Sequence, residues 1–239
     1  MASQPATRKR TPLGKAGFGS GDHSVNIALS CLSLVYFTFL VTVAGLDPWR
    51  AGVIAWLARL VDAISDPLMG RLSDSVRWKI GRRRPFFLMG MIPLGLFFSL
   101  MWTTPFSEQG EMFVFYLLIY VGLALSMTVL SIPYMALIPE MATDYDERTS
   151  LNTYRSAAAI MGTMVAAGFF GVAEWRGGGS EGFATTGLII GIWMIIPWPF
   201  VYAVSFEPKV SHPPSRVDVR SALLSLARHA TYVLSLIHI

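Results

Sequence analysis

The sequence VDAISDPLMGRLSD, residues 61–74, places acidic side chains inside an apolar stretch of the chain. The residues before it, AGVIAWLARL, are typical of a membrane span, yet Asp62 and Asp66 follow one helical turn apart on one face. Arg59 falls on the same face. Ionisable groups inside a membrane span are costly, so they usually face a bundle interior or an aqueous cavity. The stretch therefore predicts a membrane-crossing helix that carries a polar site.

The composition of the whole chain supports a membrane protein. Of its 239 residues, 53% are hydrophobic and 14% are charged, whereas about 25% of the residues in soluble domains are charged. Six stretches reach the length of about 20 mostly apolar residues that a spanning helix needs. We therefore predict an all-α membrane protein whose six transmembrane helices cover residues 24–44, 51–73, 85–103, 112–139, 151–173 and 184–206.

Basic residues are concentrated in alternate loops. They precede the first span, cluster around the second loop and follow the sixth span, whereas the opposite loops contain Arg50 and Arg176. The positive-inside rule then places both termini in the cytoplasm of a multi-pass protein of the cell inner (plasma) membrane. Because the basic residues are explained as an orientation signal, we expect no nucleic-acid partner.

The carboxylates of Asp62 and Asp66 require a cation in an apolar medium. That cation can be a proton shared by the pair or a hard metal ion that prefers oxygen ligands. Ser65 adds a hydroxyl group on nearly the same face, and Pro67 leaves the carbonyl of Ala63 without its helical N–H donor. Free carbonyls in mid-membrane helices often hold Na⁺ or H⁺-linked sites in transporters. The alternative is a purely structural cluster neutralised by the nearby arginine.

Two sequence blocks are similar to a known family. They are ARLVDAISDPLMGRLSDSVRWKIGRRRPFFLMG, residues 58–90, and SIPYMALIPEMATDYDERTSLNTYR, residues 131–155. Both resemble the glycoside-pentoside-hexuronide:cation symporters of the major facilitator superfamily, the group that includes the melibiose permease. The resemblance implies twelve helices in two six-helix halves around a central cavity. This chain is then expected to be the N-terminal half, with the C-terminal half as its missing partner.

The chain is expected to divide into four segments. Residues 1–23 are expected to form a mobile basic cytoplasmic arm, and residues 24–206 the six-helix transmembrane half. Residues 207–233 are expected to be the cytoplasmic middle loop and the start of helix seven. The last segment, LSLIHI at residues 234–239, resembles the translation of a sequencing-library adapter and is interpreted as an artefact.

The cation site that the family implies can be assigned residue by residue. Asp62 and Asp66 fall on the family's two cation-binding aspartates, and they are the metal ligands if the ion is Na⁺. Thr128 matches a threonine ligand of helix four. Ser65 replaces an asparagine of the melibiose permease, and Ser131 replaces an acidic residue. We expect these five side chains to form the cation site.

The substrate side departs further from the melibiose permease. Asn26 stands where the family has a sugar-binding aspartate, and Met135 stands where the permease has a tryptophan that stacks on the sugar ring. Arg155 is retained. The resemblance therefore supports cation coupling better than it supports galactosides. We expect these substrate-binding residues and the cation site to face a common cavity, within an internal three-plus-three repeat of helices.

The loop GRLSDSVRWKIGRRRP, residues 70–85, resembles the superfamily loop that braces the closed contact between the two halves. Its candidate gating residues are Asp74, Arg82, Arg83 and Arg84, although simple positive-inside anchoring would also explain the arginines. The acids of DYDERT, residues 144–149, are expected to pair with those arginines or with the missing half, or to be solvated. Tryptophans near the span ends predict an interfacial belt: Trp49, Trp78, Trp102, Trp175 and Trp198.

The sequence thus predicts a secondary active transporter rather than an enzyme. The expected activity is Na⁺- or H⁺-coupled symport of a sugar or glycoside, with a lipid bilayer around the protein and no cofactor besides the coupling ion. One alternative is transport of a lipid or another small molecule on the same fold. Another is a Mg²⁺-dependent membrane prenyl or phosphatidyl transferase, because Asp62, Asp66, Gly70 and Asp74 imitate the spacing of its metal ligands.

Overall fold

The computed structural model describes residues 11–207, apart from residues 77, 79 and 143. These residues form helices joined by short connections. The first helix continues beyond its α-helical part through two π-helical segments, Leu32–Tyr36 and Phe39–Val43. The α-helices are α1 Pro12–Cys31, α2 Pro48–Ser75, α3 Pro85–Leu100, α4 Gln109–Met141, α5 Tyr145–Trp175, α6 Gly179–Ile195 and α7 Pro197–Val204.

The start of α1 corrects a boundary predicted from the sequence. Thr11 caps the helix, because its hydroxyl oxygen accepts a hydrogen bond from the backbone N–H of Gly14 at 3.2 Å, and Pro12 occupies the first turn. The helix therefore begins at residue 12 rather than 24, and residues 12–23 belong to it. Lys15 and Asp22 are accommodated there because each has a charged partner on α5.

The other helices begin and end within a few residues of the predicted spans. Among the described residues, three helices are long and apolar enough to cross a membrane: Gln109–Met141, Tyr145–Trp175, and Gly179–Val204, which is α6 together with α7. The apolar helix α3 is shorter, and α2 carries six charged residues. The predicted middle loop beyond residue 207, the predicted adapter segment and residues 1–10 lie outside the described residues.

The helices pair across the bundle rather than in chain order. α1 packs against α5, α2 packs against α4, and α3 packs against both α4 and α6. A repeat that superposes α1, α2 and α3 on α4, α5 and α6 would turn the α1–α5 pair into the α4–α2 pair. It would leave the α3–α6 pair unchanged. The observed pairing is therefore what an internal three-plus-three repeat predicts.

An aromatic cluster fills the core where the C-terminal end of α3 meets α5 and α6. The rings of Trp102 and Phe169 lie 4.1 Å apart between centroids, and Phe183 packs against both. Trp102 and Trp198 are fully buried, so the prediction that these two tryptophans belong to an interfacial belt is wrong. The other three tryptophans are exposed, as a belt requires: Trp49, Trp78 and Trp175.

Candidate functional site

Glycines bring α1 and α5 into backbone contact. A Cβ atom at Gly19 would lie 3.0 Å from the backbone of Tyr154, and a Cβ atom at Gly162 would lie 2.5 Å from the carbonyl oxygen of His23. Small residues are the usual means by which membrane helices approach this closely. The short distance between the helix axes allows polar side chains of α1 and α5 to meet directly.

Asp22 and Arg155 form an ion pair across this interface. Arg155 Nε donates to Asp22 Oδ2 at 2.7 Å, and Arg155 Nη2 donates to Asp22 Oδ1 at 3.0 Å. The two side chains are 13% and 15% exposed. Paired, parallel hydrogen bonds of this kind are the strongest that a guanidinium makes with a carboxylate. Arg155, predicted as a substrate ligand, is thus held by an acid that the sequence assigned to the terminal arm.

Tyr134 on α4 completes this cluster. Its hydroxyl oxygen lies 2.6 Å from Asp22 Oδ2 and 2.9 Å from the carbonyl oxygen of Phe18, and its ring lies 5.1 Å from the guanidinium carbon of Arg155. The cation–π contact and the hydrogen bonds fix the position of both charged groups. Three helices, α1, α4 and α5, therefore meet at one polar site.

The predicted substrate ligands gather around the same site. Arg155 Nη2 contacts the Sδ atom of Met135 at 2.9 Å, and the side chain of Met135 is half exposed. Asn26 lies one turn after Asp22 on α1 and donates from Nδ2 to the backbone carbonyl of Asp22 at 2.8 Å. The structure thus groups Met135 and Arg155, and it ties Asn26 to the acid that pairs with Arg155.

A second polar cluster joins α2 to α4. Thr128 Oγ1 donates to Asp66 Oδ1 at 2.8 Å, and Ser65 Oγ lies 3.4 Å from Thr128 Oγ1. Thr128 is buried. Ser131 follows three residues later on α4 and is partly buried. Thr128 therefore lies within hydrogen-bond distance of two other predicted cation ligands, Asp66 and Ser65, and all three offer oxygen.

Asp62 lies one turn before Asp66 on α2, but its ion-pair partner among the described residues is Arg59 rather than a member of this cluster. Arg59 Nη1 lies 3.7 Å from Asp62 Oδ2, and the two side chains are 64% and 33% exposed. An exposed pair at this distance contributes little stability. Within the described residues, no group of three or more His, Cys, Asp or Glu side chains could hold a metal. A hard ion would therefore depend on hydroxyl oxygens as well as on the two carboxylates.

The predicted gating residues form a network at the ends of α2, α3 and α4. Arg83 is buried, and its Nη2 donates to Asp74 Oδ1 at 2.6 Å. Glu140 Oε1 accepts from Arg83 Nη1 at 2.7 Å and from Arg82 Nη2 at 2.6 Å. Arg84 contacts Tyr202 in two ways. Its Nη2 donates to the backbone carbonyl of Tyr202 at 2.8 Å, and its guanidinium group lies over the ring of Tyr202.

The sequence did not predict two acids of this network, Glu140 and Glu207. Glu140 binds Arg82 and Arg83, whereas Glu147 of the DYDERT segment pairs with Lys15 at 2.8 Å. The prediction that the acids of this segment pair with Arg82, Arg83 or Arg84 is therefore wrong for Glu147, whose ion-pair partner is Lys15. Glu207 accepts hydrogen bonds from the backbone N–H groups of residues 82–84 at 2.7, 2.8 and 2.9 Å.

Comparison with known proteins identifies the family. A family model described as MFS/sugar transport protein matches residues 17–236. The chain belongs to this family. Membership confirms the resemblance to major facilitator symporters and the all-α membrane fold. Because the MFS/sugar transport family consists of transporters, the transferase alternative has no support.

Individual relatives of this MFS/sugar transport chain cover it unequally. An uncharacterised symporter of Synechocystis sp. is 38% identical over 63% of this chain and 29% of its own length. A sodium-dependent lysophosphatidylcholine symporter of Danio rerio is 35% identical over 68% of this chain and 30% of its own length. The isoprimeverose transporter of Lactiplantibacillus pentosus is 25% identical over 98% of this chain and 51% of its own length. The chain thus spans about half the length of these relatives, or less.

Proposed function

We propose that the chain forms the N-terminal half of a cation-coupled symporter for a sugar or glycoside. The observation that carries this proposal is the Asp66–Thr128–Ser65 cluster between α2 and α4. It places a carboxylate and two hydroxyl groups together between two helices, and Asp62 is one helical turn away. Such a set suits Na⁺, and it also suits a proton shared between carboxylates.

The substrate site of this proposal is the Asp22–Tyr134–Arg155 cluster, with Met135 beside it. α4 supplies a residue to each cluster, and Thr128 and Tyr134 are about 9 Å apart along its axis by the rise of an α-helix. Ion binding that moves α4 relative to α2 would therefore change the substrate site. This arrangement gives a physical route for coupling between ion and substrate.

The proposed topology follows the basic loops, with both termini in the cytoplasm and the protein in the inner (plasma) membrane. The proposed partner is a second six-helix half that closes the cavity. Expressed alone, residues 1–233 should insert into membranes and fail to transport, whereas the full-length transporter should accumulate substrate. Cation-dependent sugar uptake by residues 1–233 in vesicles would contradict the half-transporter proposal.

The ion site is tested in the full-length transporter with Asp66→Asn, which removes one charge and keeps the size of the side chain. Substrate affinity in the wild type should rise by about 5- to 150-fold with the coupling ion, the usual range of such linkage. In Asp66→Asn this dependence should disappear while membrane insertion is retained. Measurements with and without Na⁺ at two pH values separate the ions, because Na⁺ competes with protons and binds better at higher pH. Unchanged ion dependence in the variant would reject the site.

A lysophospholipid is the second candidate substrate. One relative, 35% identical, is named a sodium-dependent lysophosphatidylcholine symporter, and this chain has an apolar groove of about 410 Å³ along α1, α5, α6 and α7, lined in part by Ser20, His23 and Met161. The same vesicles decide between the two. Na⁺-dependent uptake of lysophosphatidylcholine without uptake of glycosides would favour the lipid.

A further inference from the structure

Two hydroxyl groups meet between α1 and α5, apart from both of the polar clusters of the candidate site. Ser30 Oγ on α1 and Thr163 Oγ1 on α5 lie 3.1 Å apart, so one of them donates to the other. Two hydroxyl groups together have two O–H donors and four acceptor positions. Within the part of the chain that the structure describes, neither hydroxyl has a second hydrogen-bond partner. The pair therefore retains one free O–H donor and three free acceptor positions.

The free donor distinguishes this pair from other hydroxyl groups on the same helices. The hydroxyl group of Thr153, also on α5, donates to the backbone carbonyl of Thr149 one turn earlier at 3.0 Å. Such a bond within the helix is a common way for serine and threonine to satisfy their donor. A donor without a partner is unfavourable in an apolar medium. The remaining O–H group of Ser30 and Thr163 is thus available to a ligand.

The pair lies on the same side of α5 as the proposed substrate site. Thr163 follows Asn152 by eleven residues, which is close to three helical turns, so both lie on one face of α5. Asn152 in turn binds Arg155. Ser30 follows Asp22 by eight residues, as Thr163 follows Arg155, and this is about 12 Å along each helix. Thr163 is exposed and Ser30 is partly exposed, so a molecule bound at Arg155 can extend to the pair.

We propose that Ser30 and Thr163 form a second subsite, which binds hydroxyl groups on the second ring of a disaccharide. A single pyranose ring held at Arg155 is too short to reach the pair, whereas a disaccharide spans the distance. Sugar hydroxyl groups both donate and accept, which matches the free donor and the free acceptors of the pair. This inference rests on the proposed function, because it requires that a sugar binds at the Asp22–Tyr134–Arg155 cluster.

The test compares probes that differ by one ring. Methyl β-glucoside is compared with cellobiose, and methyl α-galactoside with melibiose, in binding to the full-length transporter with its coupling ion. In at least one pair, the wild type should bind the disaccharide about 3- to 10-fold more tightly, the equivalent of one neutral hydrogen bond. Thr163→Val keeps the shape of the side chain and removes its hydroxyl group. It should abolish this advantage and leave the affinity for the methyl glycoside unchanged.

Two control variants separate the hydroxyl group from packing. Thr163→Ser retains the hydroxyl group and should keep the advantage of the disaccharide. Thr153→Val makes the same change on α5, but Thr153 lies two residues before Arg155 and so does not share its face. Its ratio of affinities should equal that of the wild type.

Chemical labelling gives a second measurement. The disaccharide should slow alkylation of Thr163→Cys, whereas the methyl glycoside of the same pair should not, because it does not reach this position. The native Cys31 is buried, so the label reports on the introduced cysteine. Equal protection by both probes would contradict the subsite.

The outcomes distinguish the subsite from a hydrogen bond that only joins two helices. A purely interhelical role predicts that Thr163→Val lowers the melting temperature and leaves the ratio of affinities unchanged. That result, or equal wild-type affinities within both pairs of probes, would overturn the subsite while ion-dependent binding of a methyl glycoside still supports the symporter. If no sugar binds in an ion-dependent manner, the sugar proposal fails and the inference fails with it. Should Thr163→Val not insert, Ser30→Ala gives the same comparison from the other hydroxyl group.

Discussion

The hydroxyl group of Thr128 donates to Asp66 Oδ1 at 2.8 Å and so links the middle of α4 to the polar face of α2. The acceptor is one of two acids in a span that the surrounding sequence makes apolar. Because the hydroxyl group orients the carboxylate, the geometry of the proposed ion site depends on α4 as much as on the acids themselves.

Thr128→Val tests that dependence, since valine has nearly the same shape but no hydroxyl group. A hydrogen bond to a charged group contributes about 1.5–3 kcal/mol, so the apparent affinity for the coupling ion should fall by about tenfold or more. The apparent ion affinity is measured from the ion dependence of substrate uptake by the full-length transporter. Thr128→Ser retains the hydroxyl group and should behave like the wild type; equal losses in both variants would assign the effect to packing.

Gly162→Ala tests the close contact of α1 and α5. Its methyl group would meet the carbonyl oxygen of His23, so the helices must separate, and the melting temperature in detergent should fall by an amount equivalent to about 1–3 kcal/mol. Gly168→Ala lies on the same helix with open space around the new methyl group, and its melting temperature should not fall. If both variants melt like the wild type, the helices are not in backbone contact.

A disulfide can test the same helix pair in intact membranes. Ser30 Oγ on α1 and Thr163 Oγ1 on α5 lie 3.1 Å apart, which is within reach of a disulfide between cysteines at these positions. The pair Ser30→Cys with Thr163→Cys should cross-link on mild oxidation. Thr153 is about 15 Å further along α5 by helical rise, so Ser30→Cys with Thr153→Cys should remain reduced. Cross-linking of the control pair alone would contradict the register of α1 on α5.

Glu140→Gln tests the network that holds Arg82 and Arg83. The substitution removes the charge that both guanidinium groups bind, and the carboxylate is 26% exposed, so we expect a loss of about 1–2 kcal/mol in the free energy of unfolding. The melting temperature of the purified full-length transporter measures it. Glu111→Gln, an exposed acid near the other end of α4, is the matched control. A larger effect of the control would reject the network as a source of stability.

The sequence predicted the α2 site because its charges interrupt a long apolar run, where the cost of burying them is visible without knowing any neighbour. Asp22 carried no such signal, since glycines and polar residues surround it and its partner is 133 residues away in the chain. Two local patterns could have placed it in the helix: Thr11 before Pro12 is a helix-start signal, and Gly17 and Gly21 have the spacing of a helix-packing face.

The burial of the tryptophans shows a second limit. Trp102 and Trp175 both lie close to predicted span ends, yet one is fully buried and the other is 83% exposed. Distance from a span end follows from the sequence, but the side of the helix that a neighbour covers depends on the pairing of α3 and α5 with the rest of the bundle. The same reason explains why Glu147 pairs with Lys15, whereas Glu140 binds Arg82 and Arg83.

The contact of Glu207 with the backbone of residues 82–84 has a mechanical consequence. This carboxylate follows the last described helix, and it accepts hydrogen bonds from three consecutive N–H groups of the connection between α2 and α3. A pull on the chain beyond residue 207 therefore acts on that connection as well as on α7. Arg83 lies in this connection and forms ion pairs with Asp74 on α2 and Glu140 on α4, so the force reaches both helices. These are the two helices that enclose the proposed ion site.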